Sequence, residues 1–173
     1  MSGITLSKWE AFHPLDKWGE PITTECFIEA VAKDGISNIK LKAHSLGIVS
    51  FGIFYKNSYL TEKSEVLEFK IDQNEPIKIQ NKIQSDNNFF SIFSQIVNEK
   101  NEIVMDRNFK LLIDQMKTGK ELKFVPQNGK LLVFSLENFE DCFDSFFEVN
   151  EKRFINSKKR RDFFYLYRNS SQN

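Results

Sequence analysis

Between Asp106 and Phe147 the spacing of apolar residues changes twice, and that change restricts the fold more than any other feature of the chain. Phe109, Leu112, Ile113 and Met116 recur at i, i+3, i+4 and i+7, which gathers them on one face of an α-helix. Asp106 or Asn108 is placed to cap its start, and Gly119 follows its end as a C-cap. Leu122 and Phe124 then alternate with Glu121, Lys123 and Val125, as in a half-buried strand. Asn128-Gly129 offers the two positive-φ positions of a type I′ turn, and Lys130 to Phe134 returns as the partner strand. Pro126 falls at the strand end, where no ladder donor is needed. Ser135 is a good N-cap for a second helix, along which Phe139, Cys142, Phe143, Phe146 and Phe147 repeat the helical spacing. All of these are packing residues, so the segment specifies a scaffold and carries no chemistry.

The first hundred residues read as β-rich. Glu25 to Ala32, Asn38 to Ala43, Leu46 to Tyr55, Val66 to Ile71 and Ile77 to Ile83 are short runs of β-branched and aromatic residues. Turn signals at Asp34-Gly35, Lys56-Asn57 and Gln73-Asn74-Glu75-Pro76 separate them, the spacing of an antiparallel meander. Leu46 to Tyr55 is nearly all apolar and belongs at the centre of a sheet, with Gly47 and Gly52 marking a bulge or close packing. Phe89 to Val97 fits a helix by its spacing but follows a polar turn and is short for one, so both readings stay open. The expected fold is mainly β within an α+β class: an antiparallel β-sandwich or rolled sheet with two or three short helices packed on one side. Residues 1–150 form the domain, and residues 151–173 form a basic-aromatic extension packed on it.

A chain of 173 residues can bury a sizeable core without staples, and eighteen Phe supply much of it. The 24 basic and 24 acidic residues cancel, which argues against a surface that is cationic throughout. Yet residues 151–173 hold seven basic residues against two acidic ones, a net +5 that leaves −5 for residues 1–150. No apolar run approaches the roughly 20 residues of a membrane span. Met1 to Trp9 lacks the pattern of a signal peptide, which points to the cytoplasm. Cys26 and Cys142 are far apart in sequence and read as small core residues.

A resemblance emerges on Leu112, Ile113, Asp114, Met116, Gly119 and Lys120, and again on Phe134, Ser135, Leu136 and Phe139. Residues 108–146 resemble the C-terminal half of the invasion-associated locus B family of bacterial proteins, in which a helix, a hairpin and a closing helix follow in the same order. Trp9 and Cys26 are loosely comparable to that family's early Trp and Cys. The resemblance implies an exported β-sandwich protein without established enzymatic activity, and hence a periplasmic or secreted location once a signal has been removed.

Chemistry-bearing patterns are sparse. Lys117-Thr118-Gly119-Lys120 has Asp114 and Glu121 where a phosphate-binding loop needs Gly and Ser or Thr. His13 and His44 have no ligand-spaced neighbours, so neither a metal nor another cofactor is expected. A Cys–His pair such as Cys26 with His44 on adjacent strands is the arrangement on which a small hydrolase or transferase would rest. Glu137, Glu140, Asp141, Asp144 and Glu148 form an acidic cluster off the Phe stripe. The tail carries the main candidates: Lys158, Lys159, Arg160 and Arg161 next to Phe163 and Tyr165, a cationic patch beside an aromatic one. In one reading Phe163, Tyr165 and Tyr167 pack on the sheet; in another the patch contacts a protein partner. An anionic membrane surface or nucleic acid, engaged through residues 152–168, is the further alternative. The expectation is a non-enzymatic protein that recognises a protein partner by surface contacts.

Overall fold

The computed structural model describes residues 8–54, 66–80, 82–86, 89–125, 130–154 and 162–170. Twelve strands are described: β1 (Glu10–Phe12), β2 (Phe27–Val31), β3 (Asn38–Ala43), β4 (Val49–Phe54), β5 (Leu67–Ile71), β6 (Ile77–Ile79), β7 (Lys82–Asp86), β8 (Phe89–Phe93), β9 (Gln95–Val97), β10 (Ile103–Met105), β11 (Glu121–Phe124) and β12 (Leu132–Ser135). Three helices accompany them: α1 (Arg107–Thr118), α2 (Phe139–Phe154) and α3 (Phe163–Asn169). The fold is mainly β, as expected, with every described strand pair antiparallel.

One sheet has the order β1-β2-β3-β4-β8-β7, a second β12-β11-β5-β6, and β9 with β10 forms a small third. The nearly all-apolar β4 is interior, between β3 and β8, in line with its buried burial pattern. Alternation sets the faces: Leu67, Phe69 and Ile71 of β5 turn inward while Glu68 is exposed. The inner residues of both large sheets and the apolar faces of all three helices share one core, from Trp9 to Phe164. Phe51 of β4 meets Phe109 of α1 at 5.5 Å between ring centroids, and Phe69 stacks on Phe124 at 5.0 Å.

Several sequence expectations shift in the structure. Phe89–Val97 forms two strands, β8 and β9, that break at Ser94 and belong to different sheets, and Phe89 to Phe93 finds hydrogen-bond partners along β4. Ile77–Ile83 also divides, giving β6 to one sheet and β7 to the other. Leu46 does not begin β4 but sits in a 3-10 turn, Ser45–Gly47, with φ 74°. Ser135 does not cap α2: it ends β12, its hydroxyl accepts from Glu137 N at 3.1 Å, and the helix starts at Phe139. Asp106 caps α1 as expected, accepting from Asn108 N and Phe109 N. Gly119 has φ −82°, so it does not supply a left-handed turn; a Cβ there would stand 2.3 Å from Ile71 Cγ2, and closeness is its role. Pro126, Asn128 and Gly129 lie outside the described residues, but the β11–β12 pairing they were expected to join is present. α2 runs through residue 150 to Phe154, and α3 buries Phe163 and Phe164 in the same core.

Candidate recognition surface

The connection between β1 and β2 is a hairpin-like loop built by its own polar groups. Pro14 and Pro21 hold the flanks, and Leu15 forms an isolated bridge with Pro21. Asp16 N donates to Glu20 O at 2.8 Å and Ile22 N to Pro14 O at 2.8 Å, closing the loop as short rungs. The Asp16 carboxylate accepts from Trp18 N at 2.8 Å and from Glu20 N at 2.9 Å, an Asx-type turn that fixes the tip. Gly19 takes φ +81°, which only glycine adopts without strain. At the loop's end, His13 Nδ1 donates to Glu25 O at 2.6 Å. The result presents Trp18 at 78% exposure and Leu15 at 64%, with Lys17 Nζ 5.0 Å from the indole centroid.

The same edge leads onto the outer face of the six-stranded sheet. Strand register aligns Phe12, Phe27, Lys42, Ser50 and Phe93 in one row, and Glu10, Glu29, Lys40, Gly52 and Ser91 in the next. Phe12 stacks on Phe27 at 5.4 Å, and Lys40 Nζ sits 4.4 Å from the Phe27 centroid while pairing with Glu29 at 3.4 Å. In the same region His44 Nε2 is 2.7 Å from Ser50 Oγ. Burial first, then the charge of Lys42, holds the His44 pKa below its ordinary value, so the ring favours its neutral form.

The sequence candidates are dispersed. Lys158, Lys159, Arg160 and Arg161 lie outside the described residues. Phe163 is fully buried against Phe109, Phe147 and Phe164, so it packs and does not contact a partner, a correction to the expected site. Tyr165 is 41% exposed and keeps a place on the outer side of α3. Helical rather than alternating geometry explains the split, since Phe163, Phe164 and Tyr167 fall on the inward side. Tyr167 donates to Asp114 Oδ1 at 2.9 Å, and burial followed by that carboxylate pushes its phenol well above the usual range. The acidic cluster of α2 and the turn before it is exposed as expected. Lys8 reaches Glu137 at 2.7 Å, and Lys152 reaches Glu148 at 2.8 Å.

Cys26 and His44 do not form the pair on which the enzyme alternative would rest. Cys26 belongs to the buried core, whereas His44 is bound to Ser50, whose register partner Lys42 projects on the opposite, solvent side of the sheet. Burial, then the neighbouring Cys142, raises the Cys26 pKa; burial, then Asp141 and Glu10, raises that of Cys142. Both thiols are free and protonated at neutral pH, the unreactive form. His13 is engaged at the hairpin, apart from His44. Among the described residues no three His, Cys, Asp or Glu side chains converge to hold a metal ion, and no helix is long and apolar enough to cross a membrane.

Sequence reasoning passed over both Trp18 and the Ser50–His44 contact. The signal for the first was present, since Pro-Leu-Asp-Lys-Trp-Gly-Glu-Pro places an aromatic residue at the apex of turn formers. The second had none, because it depends on the Ser45–Gly47 turn, which brings His44 back beside Ser50, two residues along from that residue's register partner Lys42. No protein-family model, no curated protein and no solved structure matches this chain.

Proposed function

We propose that the chain is a non-enzymatic binding protein that recognises a protein partner through surface contacts, with Trp18 as the anchor. The observation that carries this reading is the 78% exposure of Trp18 on a loop fixed by hydrogen bonds. A fixed loop has already lost the conformational freedom that binding would otherwise remove. Trp is also among the residue types that most often dominate interface energies. The protonated, buried thiols support the same reading, as does the resemblance of residues 108–146 to a family without established enzymatic activity. On this reading Lys158 to Arg161, with Tyr165 on the exposed side of α3, form a second contact region.

The test is retention on the immobilised chain from native lysate supplemented with an untagged copy of the chain, at low and high salt. Trp18→Ala is expected to reduce retention of the identified partner by roughly 30-fold, the size of a 2 kcal/mol interface anchor. Replacing Lys158, Lys159, Arg160 and Arg161 together by Ser is expected to remove the salt-sensitive share of retention. Equal retention by wild type and Trp18→Ala overturns the reading.

One observation favours a second reading, a serine hydrolase: the 2.7 Å contact between Ser50 Oγ and His44 Nε2 is a nucleophile–base distance. Ser50 is only 3% exposed, which weighs against it. Covalent labelling by a fluorophosphonate that disappears in Ser50→Ala would establish this reading over the first.

A further inference from the structure

We infer that the Trp18 hairpin of one molecule docks into a groove on the four-stranded sheet of a second copy of this chain. The inference rests on the reading of Trp18 as a contact residue and adds the identity of the partner.

The groove lies on the outer face of the sheet and has a volume of ≈ 540 Å³, within the range of pockets that hold organic ligands. Val66, Val125 and Leu131 line it at 40%, 58% and 52% exposure, with Pro76 beside them. Register places Lys70 of β5 directly opposite Lys123 of β11, and like charges in that position oppose strand pairing. Lys123 leans toward Glu121 at 3.3 Å, whereas no carboxylate pairs with Lys70 among the described residues. Glu68, on the same face, is taken by Lys78 at 3.4 Å. The groove therefore suits an occupant that joins an apolar group of aromatic size to a negative charge.

The hairpin tip has that composition. Trp18 and Leu15 supply the apolar surface, and Asp16 and Glu20 flank the indole. Asp16 is committed to the turn through Trp18 N and Glu20 N, but the Glu20 carboxylate has no ion-pair partner among the described residues. Docking would bury the indole against Val66, Val125 and Leu131 and bring Glu20 to Lys70. The hairpin stands exposed at the edge of the six-stranded sheet, outside its own molecule's groove, so the contact is between molecules. It joins two different surfaces and is heterologous, closing into a ring or extending as a chain.

Sedimentation of the full chain from micromolar to submillimolar concentration tests the inference, with circular dichroism melting to confirm that each variant folds. Wild type is expected to rise in weight-average mass above its 20.3 kDa monomer. The long-wavelength tryptophan emission is expected to shift to the blue in parallel, because Trp9 is already buried and only Trp18 changes surroundings. Trp18→Ala and Leu131→Asp should each sediment as monomer. Glu20→Lys and Lys70→Glu should each weaken association about tenfold, as loss of about 1.4 kcal/mol does. An equimolar mixture of these two variants should recover it, since the altered tip then meets the altered groove. Wild type that stays monomeric, or a mixture that recovers nothing, overturns the self-docking and leaves retention of another protein to decide the role of Trp18. Association that survives Trp18→Ala likewise overturns the self-docking, while equal lysate retention by wild type and Trp18→Ala overturns the reading of Trp18 as a contact residue.

Discussion

His44 is the side chain whose protonation the fold opposes most plainly on the solvent face of the sheet. Burial, and then Lys42, place its pKa in the folded chain below the unfolded value of 6.5. The unfolded chain therefore takes up the proton first as pH falls, so this group's contribution is present above 6.5 and lost progressively below it. The window lies apart from those of Asp34 and Glu121, whose carboxyl pKa values are lowered from 3.8 and 4.5 and whose contributions fade only in stronger acid. His44→Gln keeps a polar partner for Ser50 and cannot be charged. Urea-unfolding midpoints of wild type are thus expected to fall more steeply than those of His44→Gln between about pH 7 and about pH 5.5; parallel curves would show that His44 is equally easy to protonate in both states. None of this was legible beforehand, because the environment of this half-buried His depends on how the Ser45–Gly47 turn sets it against Ser50 of β4. Gly119 teaches the same lesson: its place after a helix was visible, but the reason for glycine is Ile71, 48 positions earlier and on a strand brought close by sheet pairing.

At the scale of elements, periodicity was informative wherever one face of an element is buried and the other is not. The helical spacing of Phe109, Leu112, Ile113 and Met116 and the alternation of β5 and β11 are all found as read. It failed where both sides of a segment are covered or where pairing is remote: β8 has helical spacing but is held as strand by β4. The tail shows how the choice between strand and helix, which its sequence leaves open, places a site. In a strand Phe163, Tyr165 and Tyr167 would share a side; as α3 they divide, Phe163 facing Phe109 and Phe147 while Tyr165 stands exposed. Phe163→Ala is accordingly expected to destabilise the fold by about 3–5 kcal/mol, the cost of truncating a buried Phe and leaving a cavity. Tyr165→Ser should change stability by no more than about 0.5 kcal/mol. Chemical denaturation decides between them: a small loss for Phe163→Ala would detach α3 from the core. The Asp162 cap, which accepts from Tyr165 N at 2.8 Å, positions both residues.

The whole molecule is closed by contacts between the residues before β1 and the segment from the end of β12 to the first turn of α2. Trp9, just before β1, donates through Nε1 to Ser135 O at 2.9 Å and sets its ring edge-on to Phe139 at 4.8 Å. Trp9 O in turn accepts from Cys142 Sγ at 3.3 Å and from Asn138 Nδ2 at 3.5 Å. Lys33 N donates to Val133 O at 2.8 Å and ties the β2–β3 turn to the edge of the other sheet. These links, with the pairing of β5 and β11, span long stretches of chain, and the entropy of closing such loops is lost before their contacts repay it. Refolding is therefore expected on the millisecond-to-second scale of non-local β topologies. The local helix–hairpin–helix unit from α1 to α2 needs no such closure, so it is the natural nucleus, and the Trp9 docking follows it. A group that docks after the transition state influences unfolding alone. Trp9→Phe, which removes the indole donor to Ser135, should leave the refolding rate unchanged and speed unfolding about fivefold for each 1 kcal/mol lost. Stopped-flow circular dichroism reads both rates. A slower refolding limb with an unaltered unfolding limb would place the N-terminal strand in the nucleus instead, and the chain would then have to bring its ends together before either sheet is complete.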